Sequence, residues 1–325
     1  MAAAYQTGSA SSPTDLLQKL VTWLVAQGWT QNMSQAEGTG WRAHLSKGGV
    51  YVNMRATPGS ETLWGYSLYR TPQRAGIGIY TGTGYNGSSA WNAQAGGPIG
   101  DGQTYTVGCI MQTDATILAY HFFDDGADNI VVVIERTSGI FGHMGWGPSL
   151  IKNGTWTGGA YFFAQLAGYS GGEYADYYPG AGMTASCPFA TADGQAAAAS
   201  FVRADVDAFT GKWVGVNYYG DASAEKGYTG KLGQTPFGGY HGPDTRIPVY
   251  TTFQDRLTSA LNAQANLLPI RVYVERDAGG YSLIGDVPNI FLSNATENGF
   301  APSTVYPLGS DNYMLFHNFA VLKKA

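Results

Sequence analysis

The chain has 325 residues, enough for one large core or two modest ones, with 44% apolar residues, 46 glycines and 22 tyrosines. Charged residues are only 13%, well below the roughly 25% typical of a soluble domain. A net charge of −5 with no Lys/Arg block argues against nucleic acid as the main ligand, and no stretch reaches the roughly eighteen consecutive apolar residues of a membrane span.

In chain order, residues 1–12 (MAAAYQTGSASS) are small and polar, and read as a flexible arm ahead of a single domain covering 13–325. They lack the basic start and apolar stretch of a secretory signal. Pro13-Thr14-Asp15 then opens a helix with Leu16, Leu17, Leu20, Trp23, Leu24 and Val25 on one face, and Gly28 stops it. Strands are predicted at 41–45 and 49–56. The second alternates Val50, Val52 and Met54 with Tyr51, Asn53 and Arg55, the period of a half-buried strand. Residues 57–105, rich in glycine, serine and tyrosine, read as a long interaction loop with short strands, because structureless loops of that length are rare.

The central sheet is predicted to begin at 104–112 and 116–123 and to continue through 130–163. Ile130–Ile134 is an apolar run with DDGADN before it and RTSG after it, the mark of a buried strand. Asn153-Gly154 and Gly158-Gly159 then punctuate two aromatic runs at reversals of the chain. Residues 164–200 read as irregular, with a sub-boundary near there, and 220–250 as another glycine-rich loop. Residues 201–209 fit either a short strand or a helical turn, and 212–219 a strand. A second helix is expected at 253–266, followed by strands at 267–275 and 313–322. Helices do not alternate regularly with strands, so the fold class expected is α+β, with a predominantly antiparallel β-sheet core and long Gly/Tyr-rich loops.

Catalytic patterns are weak throughout. Asp124, Asp125, Asp128 and Glu135 are candidates for a carboxylate pair of the kind that cleaves glycosides or cell-wall polymer, but DDGADN is also ordinary solvated turn chemistry. His44, His121, His143, His241 and His317 show no metal-ligand spacing, although His121 and His143 fall on adjacent predicted strands. GIGIYTGTGYNG offers GxG spacing but lacks the lysine and helix of a phosphate loop. Cys109 and Cys187 lack CxxC spacing and read as reduced core thiols. No catalytic residue, cofactor or metal is therefore assigned. Low charge and abundant tyrosine suit a surface that neighbouring proteins cover, and Tyr85, Trp91, Tyr177 and Tyr178 are the candidate contact residues.

Several blocks together carry a resemblance: LVAQGW, GVYVNM, HFFDD…NIVVVIERTSGIFGHMGWG, KNGTWTGGAYF, IGDVPNIF and GSDNYMLFHNFA. The set resembles virion structural proteins of tailed bacteriophages. The resemblance implies a non-enzymatic subunit, made in the bacterial host cytoplasm and incorporated in the virion. It would form a cyclic homo-oligomer at the head–tail connector or collar, or in the tail or baseplate, against other virion proteins. The alternative is a carbohydrate-binding module of a tail fibre or baseplate recognising host surface glycans, with Trp41, Trp64, Trp91, Trp146, Trp156 and Trp213 as stacking platforms.

Overall fold

Ser12 starts the helix because its hydroxyl accepts the Asp15 amide at 3.1 Å, while Pro13 pre-sets the first turn. The helix, α1, spans Pro13–Ala26, buries Leu16, Leu17, Leu20, Val21, Trp23 and Leu24, and ends before Gly28, whose φ of 77° suits glycine. The computed structural model describes residues 2–59, 75–98, 108–113, 116–137, 139–167, 199–206, 209–215, 232–233, 267–275, 281–293, 300–316 and 319–324. Among these, the chain is mostly antiparallel β-sheet with one helix. The expected second helix at 253–266 lies outside the described residues, as do most of 164–200 and 220–250.

Strand β1 (Ala4–Ala10) precedes the helix. After it come β2 (Thr30–Glu37), β3 (Gly40–Lys47), β4 (Val50–Pro58), β5 (Ala75–Gly82) and β6 (Cys109–Gln112), which form one five-stranded sheet in sequential order. Next are β7 (Ile117–Asp124), β8 (Ile130–Thr137), β9 (Ile140–Gly147), β10 (Ile151–Lys152), β11 (Thr157–Ala167), β12 (Ala199–Val206) and β13 (Phe209–Gly215). The central sheet has the order β1-β7-β8-β9-β11-β12-β13. The last strands are β14 (Leu232–Gly233), β15 (Leu267–Glu275), β16 (Tyr281–Ser293), β17 (Thr304–Leu308), β18 (Asp311–Leu315) and β19 (Phe319–Lys323). With β10 they form the C-terminal sheet, ordered β14-β15-β16-β19-β18-β17, with β10 on β16. The strand expected at 313–322 is thus two strands of a meander.

The central sheet is covered on both faces, which explains the uninterrupted run Ile130–Ile134. Ile130, Val132, Ile134, Phe122, Met144, Trp146 and Phe162 pack with α1 and with Leu45, Val52 and Met54 of the helix-side sheet. Phe123, Val131, Val133, Phe141 and Phe163 on the other face pack with Ile284, Ile290, Phe316, Phe319 and Val321 of the C-terminal sheet. Each fully buried Phe, Val or Leu contributes about 1.5–3 kcal/mol, so these two interlayer cores dominate stability. Gly145 allows the Phe163 ring to lie flat across the sheet, since a Cβ there would sit 2.5 Å from the ring edge.

One expectation changes and another gains detail. The segment read as a flexible arm contains β1, which pairs with β7 from Ala4↔Asp124 to Ala10↔Ile117. The small side chains at 4–10 suit an edge strand, and Tyr5 anchors it between Phe123 at 5.1 Å and His121 at 6.2 Å, centroid to centroid. Within 57–105, β5 pairs with β4 along its full length, so that part of the segment builds sheet. β4 is also more enclosed than its alternation implies: Asn53 and Arg55 are buried along with Val52 and Met54.

Candidate functional site

The residues singled out for contact or catalysis fall in distinct places. Trp91 is a core residue: its ring lies 6.0 Å from Tyr80, and its carbonyl accepts the Tyr80 hydroxyl at 2.5 Å. At 7% exposure it cannot serve as a surface anchor, which corrects its assignment as a contact residue. Gln94 fixes the same turn, accepting the Asn86 amide at 2.6 Å and donating to the carbonyls of Asn86 and Ala90, each at 3.0 Å. Tyr85 is half-buried, 5.2 Å from His44, on the outer face of the helix-side sheet. Tyr177 and Tyr178 lie outside the described residues. Trp146 and Trp213 are buried as well, leaving Trp41 and Trp156 as the half-exposed tryptophans among the described residues. The indole of Trp41 donates to Ser34 at 2.9 Å and that of Trp156 to the Ile284 carbonyl at 3.0 Å.

The four carboxylates hold turns and join layers. Asp124 accepts the Gly126 amide at 2.8 Å, and burial raises its pKa against the pull of that hydrogen bond. Asp125 accepts the amides of Ala127 and Asn129 through one oxygen, and the side-chain amides of Asn129 and Asn289 through the other. Asp128, at φ 68°, meets Lys47 of β3 at 2.5 Å. Glu135 accepts the Gly139 amide at 3.0 Å. The DDGADN turn therefore ties the central sheet to both flanking sheets, through Lys47 on one side and Asn289 of β16 on the other.

The described histidines are buried: His44 is 1%, His121 7% and His143 0% exposed. His44 Nδ1 lies 2.7 Å from Asn53 Oδ1, and burial lowers its pKa. His121 contacts Tyr5 OH through Nδ1 at 2.9 Å and Ser303 Oγ through Nε2 at 3.5 Å. No group of three or more His, Cys, Asp or Glu side chains among the described residues is placed to hold a metal ion. Cys109 is buried, and burial raises the pKa of its thiol well above the usual value. No described helix is long and apolar enough to cross a membrane.

Two features face outward and are built for contact. The first is the edge of β1. Among the described residues only one side of this strand is paired, so alternate residues direct backbone N–H and C=O groups away from β7. A shallow groove of about 500 Å³ runs along it, lined by Ala4, Tyr5 and Gln6 of β1 and by Lys19, Thr22 and Trp23, among others, of α1. The strand carries neither charge nor proline to discourage pairing. Lys19 covers only its far end, donating to the Ser9 carbonyl at 2.8 Å beside a register shift.

The second feature is the β17–β18 hairpin, which turns through Gly309 (φ 63°) and Ser310. Val305 and Leu308 are 43% and 47% exposed on its edge strand. Pro307 removes one N–H from that strand, which blunts it against strand addition. Neither edge was singled out from sequence. The absence of charge and proline in AYQTGSA was the available signal for the first.

No family model matches this sequence, and no curated protein matches it.

Proposed function

We propose that the chain is a non-enzymatic structural subunit of a tailed-bacteriophage virion. It packs in a ring against copies of itself and other virion proteins at the head–tail connector or collar, or in the tail. The observation that carries this reading is the unblunted β1 edge beside α1, a surface ready for pairing on a chain with only 13% charged residues. Three stacked sheets supply a stiff body, and the acidic turn at 124–129 locks the layers together. The virion setting rests on the resemblance of the quoted sequence blocks to virion structural proteins.

Sedimentation velocity on the purified chain tests assembly directly. The wild type sediments as a closed oligomer, and Gln6→Lys, which places a charge in the groove, shifts it toward monomer. A wild-type chain that stays monomeric at high concentration would remove the ring. Mass spectrometry of purified particles tests the setting: the chain is found in the virion, and its absence there would overturn the reading.

A further inference from the structure

His121 and His143 lie on one face of the central sheet and in one cross-strand row, since His121 pairs with Val133 and Val133 with His143. Both rings project into the layer shared with the C-terminal sheet. His143 is completely buried, and neither ring nitrogen has a hydrogen-bond partner among the described residues. It is surrounded by aromatic rings instead, with Phe319 at 5.0 Å and Phe163 at 6.0 Å. His121 packs 5.7 Å from Phe316, which stacks on Phe319 at 5.1 Å. Each imidazole thus meets one member of the stacked Phe316–Phe319 pair, at the junction of β18 and β19.

Among the described residues, the titratable and charged groups around this row are few. β1 contributes Tyr5, whose hydroxyl also reaches Met314 Sδ at 3.9 Å. β8 contributes Glu135, whose charge favours an imidazolium at His121, and β19 contributes Lys323, whose charge opposes one. Lys323 lies 4.3 Å from the Tyr5 ring centroid. β11 contributes Tyr161, whose hydroxyl is committed to Asn129 at 3.0 Å. On β16, Asp286 faces Arg271 at 3.9 Å and takes no part in the row. Burial pushes His121 down to about 4, against the attraction of Glu135, and burial alone pushes His143 down to about 3.

We propose that this row is an acid-operated latch: protonation of His143, assisted by His121, releases the C-terminal sheet from the central sheet while the helix-side core stays packed. An imidazolium at His121 could be accommodated by the oxygens of Tyr5 and Ser303. One at His143 would be a charge among phenylalanines with no partner among the described residues, which the closed layer cannot tolerate. Of the described histidines, His121 and His143 lie in the C-terminal interlayer, and His44 alternates with the core residues Ala43 and Leu45 and so points to the outer face of its sheet. Acid therefore acts on one interlayer and spares the other. Below the ordinary histidine value of 6.5, the open form binds protons that the closed form refuses. The ratio of open to closed rises up to about tenfold per pH unit for each histidine, until the closed-state values are reached. The latch belongs to the isolated subunit and holds whether or not it assembles in a virion.

Hydrogen exchange read by mass spectrometry from pH 7 to pH 4, corrected for intrinsic rate, tests it on the full chain. In the wild type, 281–293 and 311–316 lose protection at higher pH than 16–24 and 43–56. His143→Phe moves that loss at least one pH unit lower; His143→Leu serves the same purpose if the larger ring does not fit. His44→Gln leaves the order and midpoint unchanged. Simultaneous loss of protection in both regions of the wild type overturns the latch, as does an unshifted midpoint in either folded His143 variant.

Discussion

The two faces of the central sheet are packed by different chemistry. The helix-side interlayer holds no histidine among the described residues and is closed by Leu16, Leu20 and Trp23 over Phe122, Trp146 and Phe162. The C-terminal interlayer is equally buried but holds two imidazoles among Phe163, Phe316 and Phe319. Area alone would make them interchangeable. Their polar content makes one indifferent to acid and the other dependent on its histidines staying neutral, so equal burial does not mean equal robustness.

The contrast can be broken most forcefully by pH. Both histidines have closed-state values below 6.5, so the unfolded chain binds more protons and stability falls as pH falls. Each contributes a slope of roughly 1.4 kcal/mol per pH unit, for His121 between 6.5 and about 4 and for His143 between 6.5 and about 3. Urea denaturation at stepped pH measures this, and a flat profile across that window would erase the distinction. Truncation comes next. Trp146→Ala should cost about 3–5 kcal/mol and loosen all layers, whereas Phe319→Ala, of similar size, should loosen mainly the C-terminal sheet; hydrogen exchange separates the two patterns.

Smaller effects sharpen the picture at the layer ties. Asp125→Ala leaves the amides of Asn129 and Asn289 without their acceptor and should cost about 1–3 kcal/mol in chemical denaturation, felt mostly on the C-terminal side. Ser12→Ala removes the helix cap and should cost about 1 kcal/mol on the helix side, visible as lowered helicity before global melting. Lys47→Met breaks the partly exposed pair with Asp128 and should cost about 1 kcal/mol or less, a difference that shrinks further in high salt.

How far these features could be read from sequence depends on whether local pattern or distant pairing fixes them. The helix was legible because Ser12-Pro13 and the leucine spacing act within one segment. Ile130–Ile134 was legible because burial on both faces leaves a continuous apolar run. β1 was missed because AYQTGSA has little pattern of its own and becomes a strand only by pairing with β7, more than a hundred residues later. Trp91 was misplaced because a lone tryptophan among glycines looks like a surface feature, and only the Tyr80 hydroxyl reveals that its turn folds inward. The histidine row was half legible: two histidines on neighbouring strands were visible, but their shared face needed the register through Val133. The outward β1 edge was illegible, since an unpaired side of a strand is a property of the whole sheet.

The order of the layers along the chain also governs how the protein is born. By residue 215 the helix-side core and every strand of the central sheet have emerged from the ribosome, yet β15 through β19 are still unmade. At ordinary translation speeds, Phe123, Val133, Phe141 and Phe163 wait on the order of ten seconds before their covering strands arrive. Throughout that interval this greasy plane of the nascent chain lacks the strands that will bury it.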